Sequence, residues 1–156
     1  MKKFTIILVI LVAMLVGCSS SSSNKILNIV ELGKSTRDDL TELNLKMDVQ
    51  EIYNQDENVY EYNYIWDYAS YKLNDVNGTI RIRFTDYDNV AQFVNFSAEA
   101  TKENMEQILS YLVDNYGEDY EEMEDYTTRW TSDNLIIDYV LTDEDTVEIR
   151  WYSSND

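Results

Sequence analysis

From residue 101 to residue 117 the apolar side chains fall at helical spacing. Met105, Ile108, Leu109, Leu112, Val113 and Tyr116 recur at i, i+3, i+4, i+7, i+8 and i+11, with Thr101 ahead of them and Gly117 just behind. This pattern predicts an amphipathic α-helix with a threonine N-cap and a glycine past its end. Two other stretches alternate instead. Ile80, Ile82 and Phe84 are interleaved with Arg81 and Arg83, and Val147, Ile149 and Trp151 with Glu148 and Arg150. A period of two predicts strands with one buried face. Asn77-Gly78 reads as a hairpin turn that accepts positive φ, and Asp86 to Asn89 and Thr142 to Asp145 read as further hairpin connections.

These signals occur in the same order twice. Thr36-Arg-Asp-Asp-Leu-Thr-Glu-Leu43 matches Thr101-Lys-Glu-Asn-Met-Glu-Gln-Ile108 in chemical type, and Phe84-Thr-Asp-Tyr-Asp-Asn-Val90 matches Leu141-Thr-Asp-Glu-Asp-Thr-Val147. The offset falls from 65 to 57 between the two matches, so the first unit holds about eight extra residues. Its helix is predicted from Ser35-x-x-Asp38 and Thr36-x-x-Asp39, either of which offers a capping carboxylate, followed by Leu40 and Leu43. The expected fold is α+β: two tandem α-β-β-β(-β) repeats, residues 26–98 and 99–156, sharing one core or one continuous antiparallel sheet. A half of about 60 residues is marginal alone, which favours a shared core.

The start of the chain has another character. Lys2 and Lys3 precede an unbroken apolar run from Phe4 to Val16. Such a run makes a helix of roughly 20 Å, short of a bilayer core of about 30 Å, and reads as an export signal. Leu15-Val16-Gly17-Cys18 resembles the lipobox of bacterial lipoproteins, whose cysteine is acylated and becomes the mature N-terminus. The resemblance implies a signal peptide over 1–17, a lipidated Cys18 with a flexible serine-rich tether over 18–25, and one globular domain over 26–156. An uncleaved signal anchor is the alternative.

Charge and composition then narrow the chemistry. The chain has 12 basic and 30 acidic residues, and loss of Lys2 and Lys3 leaves a net charge of about −20. That surface is repelled by nucleic-acid phosphate and by anionic lipid head groups, so nucleic acid is not an expected partner. With no histidine and one cysteine, the chain lacks Ser-His-Asp and Cys-His nucleophile systems, disulfides in the exported domain and the usual zinc ligands. Neither a phosphate-cradling nor a dinucleotide-binding glycine motif occurs. No catalytic residue, metal or cofactor is expected.

Three features remain. Tyr60, Tyr62, Tyr64, Trp66 and Tyr68 alternate with Val59, Glu61, Asn63, Ile65 and Asp67. If a strand runs straight through, all five rings share one face, either as an exposed recognition stripe or as the sheet face beneath a helix. Glu118-Asp-Tyr-Glu-Glu-Met-Glu-Asp125 reads as a solvated acidic loop, since it lacks the spacing of a calcium loop. Asp86 with Asp88 and Asp143 with Asp145 read as turn chemistry, although a hydrolase also employs paired carboxylates.

A tandem of helix-plus-antiparallel-sheet units on an exported chain is similar to the β-lactamase inhibitor protein fold and to SmpA/OmlA-like lipoproteins. Gly33-Lys-Ser-Thr-Arg-Asp-Asp-Leu40 resembles the G-x-T-R-x-[DE]-V opening of the latter's helix, with the apolar residue one position later. Leu43-Asn-Leu-Lys-Met47 stands where that family has Leu-Gly-x-Pro. The resemblance implies a non-catalytic binding module. The expectation is a lipoprotein on the outer side of a membrane that binds another exported or envelope protein. A carbohydrate-binding or glycoside-active protein, or an inhibitor of a secreted enzyme, is the alternative.

Overall fold

A computed structural model describes residues 25–54, 59–85, 87–132, 134–142 and 145–154, with the side chains of residue 25 and of 49–65 left aside. The leader, Cys18 and the tether up to Asn24 lie outside the described residues, as do Asp86 and Asp143. Ten strands and one α-helix form: β1 (Lys25–Ile26), β2 (Val30–Glu31), β3 (Lys46–Asn54), β4 (Val59–Leu73), β5 (Val76–Phe84), β6 (Ala91–Glu99), α1 (Lys102–Tyr116), β7 (Glu121–Glu122), β8 (Thr127–Ser132), β9 (Leu135–Leu141) and β10 (Thr146–Ser153). Strands β3 to β10 make one sheet in the order β3-β4-β5-β6-β10-β9-β8-β7, and every neighbouring pair is antiparallel. The fold is thus antiparallel α+β, with a single α-helix among the described residues.

One face of this sheet holds the core. Ile80, Ile82, Phe84, Val94, Phe96, Ile137, Val147, Ile149 and Trp151 are buried on it. Ile108 and Leu112 of α1 and Ile26, Val30 and Leu40 of the N-terminal segment join the same cluster. Burying such a side chain contributes about 1.5–3 kcal/mol, so this layer is the main stabilising element. Helix α1 has the predicted ends: the Thr101 hydroxyl accepts from the Asn104 amide at 3.1 Å, and Gly117 follows at φ 87°. Its buried face differs slightly from the expectation, because Tyr111 is buried and Leu109 is 38% exposed. Two indoles fix its C-terminal end, Trp130 donating to the Gly117 carbonyl at 2.9 Å and Trp151 to the Tyr116 hydroxyl at 3.1 Å.

Two local expectations are corrected. The first unit carries a six-residue 3₁₀ helix, Asp38–Leu43, in place of an α-helix. The Thr36–Asp39 box does form, with the Thr36 amide and hydroxyl both donating to the Asp39 carboxylate at 2.8 Å, which holds that carboxyl below its usual range. Leu40 is the sole buried side chain of this helix, the backbone kinks there, and Asn44 closes the turn at φ 49°. Too little apolar surface is available to support a longer helix. The second correction concerns Asn77-Gly78, which lies inside β5. The β4–β5 hairpin turns at Asn74-Asp75, with Leu73 opposite Val76 and Asn74 at φ 52°. Gly78 is required for close approach instead: a Cβ there would meet the Ser97 carbonyl oxygen and lie 2.5 Å from Phe96 Cζ.

Asp67, one of the residues that alternate with the aromatic stripe, is 1% exposed on the core side of β4. It is paired with Arg37, whose guanidinium lies 4.7 Å from the centre of the Phe84 ring and donates to Asn89 at 2.6 Å. This pair fastens the 33–45 segment onto the sheet.

Candidate binding face

Because successive strand residues point to opposite sides, the arginines that alternate with the core residues project from the other face. Strand register aligns them. Tyr68 of β4 lies opposite Arg81 of β5, and Arg81 opposite Asn95 of β6. Asn95 is opposite Arg150 of β10, which is opposite Asp138 of β9, which is opposite Arg129 of β8. A single polar row therefore crosses six strands. Beside it runs a second row, in which Arg83 faces Phe93 and Phe93 faces Tyr152. Four of the five arginines of this acidic chain, Arg81, Arg83, Arg129 and Arg150, thus gather on one sheet face. No helix covers that face among the described residues.

The rings in this region pack against each other. Trp66 stands edge-on to Phe93 at 5.4 Å, Phe93 stacks on Tyr152 at 5.7 Å with 7° between the planes, and the Arg83 guanidinium lies 5.8 Å from the Phe93 centre. Their side chains border a concavity of about 420 Å³ whose polar walls include Arg81, Asn95, Asp138, Glu148 and Arg150. That volume is within the range of small-ligand sites. A second, more open hollow of about 640 Å³ lies beside the β7–β8 hairpin, bordered by Met105, Met123, Tyr126 and Leu141.

Two carboxylates line the concavity, and both are engaged. Asp138 accepts from Arg129 Nε at 2.7 Å, Arg129 Nη2 at 2.9 Å and the Tyr152 hydroxyl at 2.7 Å. Burial alone raises the Asp138 pKa, but the bonds from Arg129 and Tyr152 outweigh it and hold the group below the usual carboxylate range. The same contacts raise Arg129 above its ordinary value, while burial and the Asp138 bond raise Tyr152. Glu148 Oε2 accepts from Arg150 Nε at 2.9 Å, Arg150 Nη2 at 2.6 Å and Asn95 Nδ2 at 3.2 Å. A general acid requires a carboxyl that stays protonated near neutrality, and Asp138 is shifted the opposite way. The arrangement suits recognition of charge, hydrogen-bonding groups and apolar surface.

Two groups are left uncommitted. Arg81 is exposed and has no ion-pair partner among the described residues, whereas Arg37, Arg129 and Arg150 each have one. Asn95 is 6% exposed, and its Oδ1 accepts no hydrogen bond among the described residues.

The aromatic stripe reaches this face in part. Trp66 and Tyr68 lie on it, half-buried and 36% exposed respectively, on the side away from α1. Tyr60, Tyr62 and Tyr64 belong to β4, but their side chains lie outside those described. The strand does not run straight through. Trp66 is opposite Asp48 while Tyr64 is opposite Val49, so β4 holds one extra residue, Ile65, and its alternation is interrupted between Tyr64 and Trp66. Residues 118–125 are exposed, and no group of three or more acidic or cysteine side chains among the described residues is arranged to hold a metal ion. Asp88 accepts from the Thr85 hydroxyl within the β5–β6 turn.

Arg81, Phe93, Asn95, Arg129, Asp138, Arg150 and Tyr152 were absent from the candidate residues read from the sequence. The signal that points to some of them is the arginine and glutamate alternation in β5 and β10; what joins them is the β6–β10 pairing. No protein-family model matches the chain, and no curated protein or solved structure is significantly similar to it.

Proposed function

We propose that this chain is a bacterial lipoprotein, acylated at Cys18 and held on the outer side of a membrane. In this reading it is a non-catalytic module that receives another exported or envelope protein on the open face of its sheet. The observation that carries the reading is the gathering of four arginines with Trp66, Tyr68, Phe93 and Tyr152 on a face that no helix among the described residues covers. Trp, Tyr and Arg dominate the energetics of protein interfaces because they combine large apolar area with fixed polar groups. The Asp138 carboxyl, held below its usual range by Arg129 and Tyr152, supports binding over general-acid catalysis.

Two other parts of the reading have support of a different kind. The lipobox-like Leu15-Val16-Gly17-Cys18 and the preceding apolar run support the anchor; two or more acyl chains suffice for stable attachment. The strand order supports an origin by duplication: a short helix with β3 to β6 and α1 with β7 to β10 are two meanders, and their last strands, β6 and β10, pair at the centre of the sheet. The extra length of the first unit falls in the β3–β4 hairpin, whose strands have 9 and 15 residues against 2 and 6 in β7 and β8. That tandem arrangement is also what the likeness to the β-lactamase inhibitor protein fold and to SmpA/OmlA-like lipoproteins implies.

The test has two arms. Mass spectrometry of the native product should find an N-terminal acylated Cys18; an intact leader or an unmodified cysteine contradicts the anchor. Trp66→Ala and Tyr68→Ala together should lower partner recovery from crosslinked host membranes at least tenfold, and unchanged recovery contradicts the binding face.

A further inference from the structure

The geometry points to a carboxylate-reading site at the centre of the open face, one that takes an acidic side chain presented on an extended segment of the bound protein. Arg81 donates to that carboxylate, and Asn95 Oδ1 accepts a backbone N–H of the same segment. The inference rests on the open face being the binding surface.

It starts from the two uncommitted groups. A chain with 30 acidic and 12 basic residues has carboxylates in excess, yet Arg81 pairs with none among the described residues. Its neighbour across the ladder is Asn95, whose Nδ2 donates to Glu148 while its buried Oδ1 has no donor among the described residues. An unsatisfied buried acceptor is destabilising, and a donor on a ligand removes that cost. Directly opposed strand residues lie about 4.5–5.5 Å apart at Cα, so one ligand reaches both groups. Both line the same concavity.

The two requirements select the ligand. A basic segment brings donors but is repelled by Arg81. A neutral sugar brings donors and leaves the guanidinium uncompensated. An acidic sugar meets both needs, but it also favours a flat ring face to stack on, and the three rings that line the concavity are closed on one another: Trp66 on Phe93 and Phe93 on Tyr152, with Arg83 over Phe93. A peptide supplies the carboxylate from a side chain and the N–H from its backbone. Within the concavity Arg81 and Arg150 stand against Asp138 and Glu148, and both carboxylates are already held, Asp138 by Arg129 and Tyr152 and Glu148 by Arg150 and Asn95, so Arg81 is the charge there that a ligand carboxylate complements. A guanidinium also grips a carboxylate by two parallel bonds, which fixes orientation as well as charge.

The experiment is an NMR titration of the full-length lipoprotein in neutral detergent micelles. The probes are a blocked glycine pentapeptide with one central glutamate, the same peptide with glutamine, and glucuronate. The expected result is saturable movement of the Arg81 Nε–H and Asn95 side-chain amide signals with the glutamate peptide, and at least tenfold weaker binding of the glutamine peptide, as loss of a charge-assisted bond entails. Arg81→Gln, at an exposed position, should abolish the response; Asn95→Leu, which removes the orphan acceptor without adding charge, should weaken it several-fold. Equal binding of the two peptides, tighter binding of glucuronate, or an unchanged response in Arg81→Gln each overturns the proposal. Partner recovery separates the two levels. If Arg81→Gln recovers the partner like the parent while the Trp66 and Tyr68 alanine variant loses it, the carboxylate site is wrong and the binding face stands. If neither variant loses the partner, both are wrong.

Discussion

Replacing Asp138 with asparagine tests the wall of the concavity. The carboxylate is 8% exposed and accepts two bonds from Arg129, itself 30% exposed, and one from Tyr152. Asparagine keeps one acceptor oxygen and turns an amide donor toward Arg129 or Tyr152, both of which already donate. Hydrogen bonds to charged groups contribute about 1.5–3 kcal/mol each, and the partial exposure of Arg129 reduces that, so the net cost at pH 7 is about 2–3 kcal/mol. For a domain of about 130 residues the unfolding entropy is near 0.27 kcal/mol per kelvin, which converts to a Tm lower by about 7–11 °C. The folded-state pKa of Asp138 is depressed below 3.8, so its contribution is present above the unfolded value and is lost as pH falls through the folded one. The difference between wild type and Asp138→Asn should therefore be largest near neutrality and shrink as pH falls below about 3.9, the unfolded value. Urea unfolding followed by near-ultraviolet circular dichroism, from pH 7 to pH 2.5, reads this out. A difference under 1 kcal/mol at pH 7, or one that does not narrow in acid, refutes the assignment.

Other consequences follow from particular contacts. Gly78→Ala should destabilise the domain by about 2 kcal/mol or more, because the Ser97 carbonyl and the Phe96 ring occupy the space of the new Cβ, and Phe96→Leu should restore part of the loss. Asn77→Ala, at an exposed strand position, should change stability by less than about 0.5 kcal/mol in the same unfolding assay. Burial raises the Tyr111 and Tyr116 phenols above 10, so the neutral forms belong to the folded state and stability is present below that value and lost as pH rises beyond it. Tyr116→Phe should cost about 1 kcal/mol at pH 7 by removing the acceptor of the Trp151 indole, and should flatten the loss above pH 10 in a denaturation series.

Helix α1 was legible because Met105, Ile108, Leu112 and Tyr116 keep one spacing and both ends carry their own signals; nothing distant is needed to specify it. The buried positions of β5 and β10 were legible for the same reason, since alternation is a local property. The helix at Asp38–Leu43 was not, because its capping residues read like those of α1 in the sequence, whereas in the structure the N-cap is Arg37, which makes no side-chain cap bond, and little apolar surface beyond Leu40 supports a longer helix. Asn77-Gly78 misled because Asn74-Asp75, three residues earlier, is an equally competent turn, and the choice is made by how Phe96 packs on Gly78. The polar row from Tyr68 to Arg129 depends on β6 lying against β10, a contact between residues some 53 positions apart, as in Asn95 with Glu148. No short-range pattern encodes that pairing. The buried Asp67 was hidden likewise, its partner Arg37 being 30 residues away.

The central claim, that the open face of the sheet is where a partner protein binds, is tested most directly by placing a photo-crosslinking residue at single positions of the full-length chain in its own host. Tyr68 lies on the open face, and Ser110 is exposed on α1. The account predicts a discrete crosslinked partner from position 68 and none from position 110. Crosslinks from position 110 alone, or the same adducts from both, would contradict it.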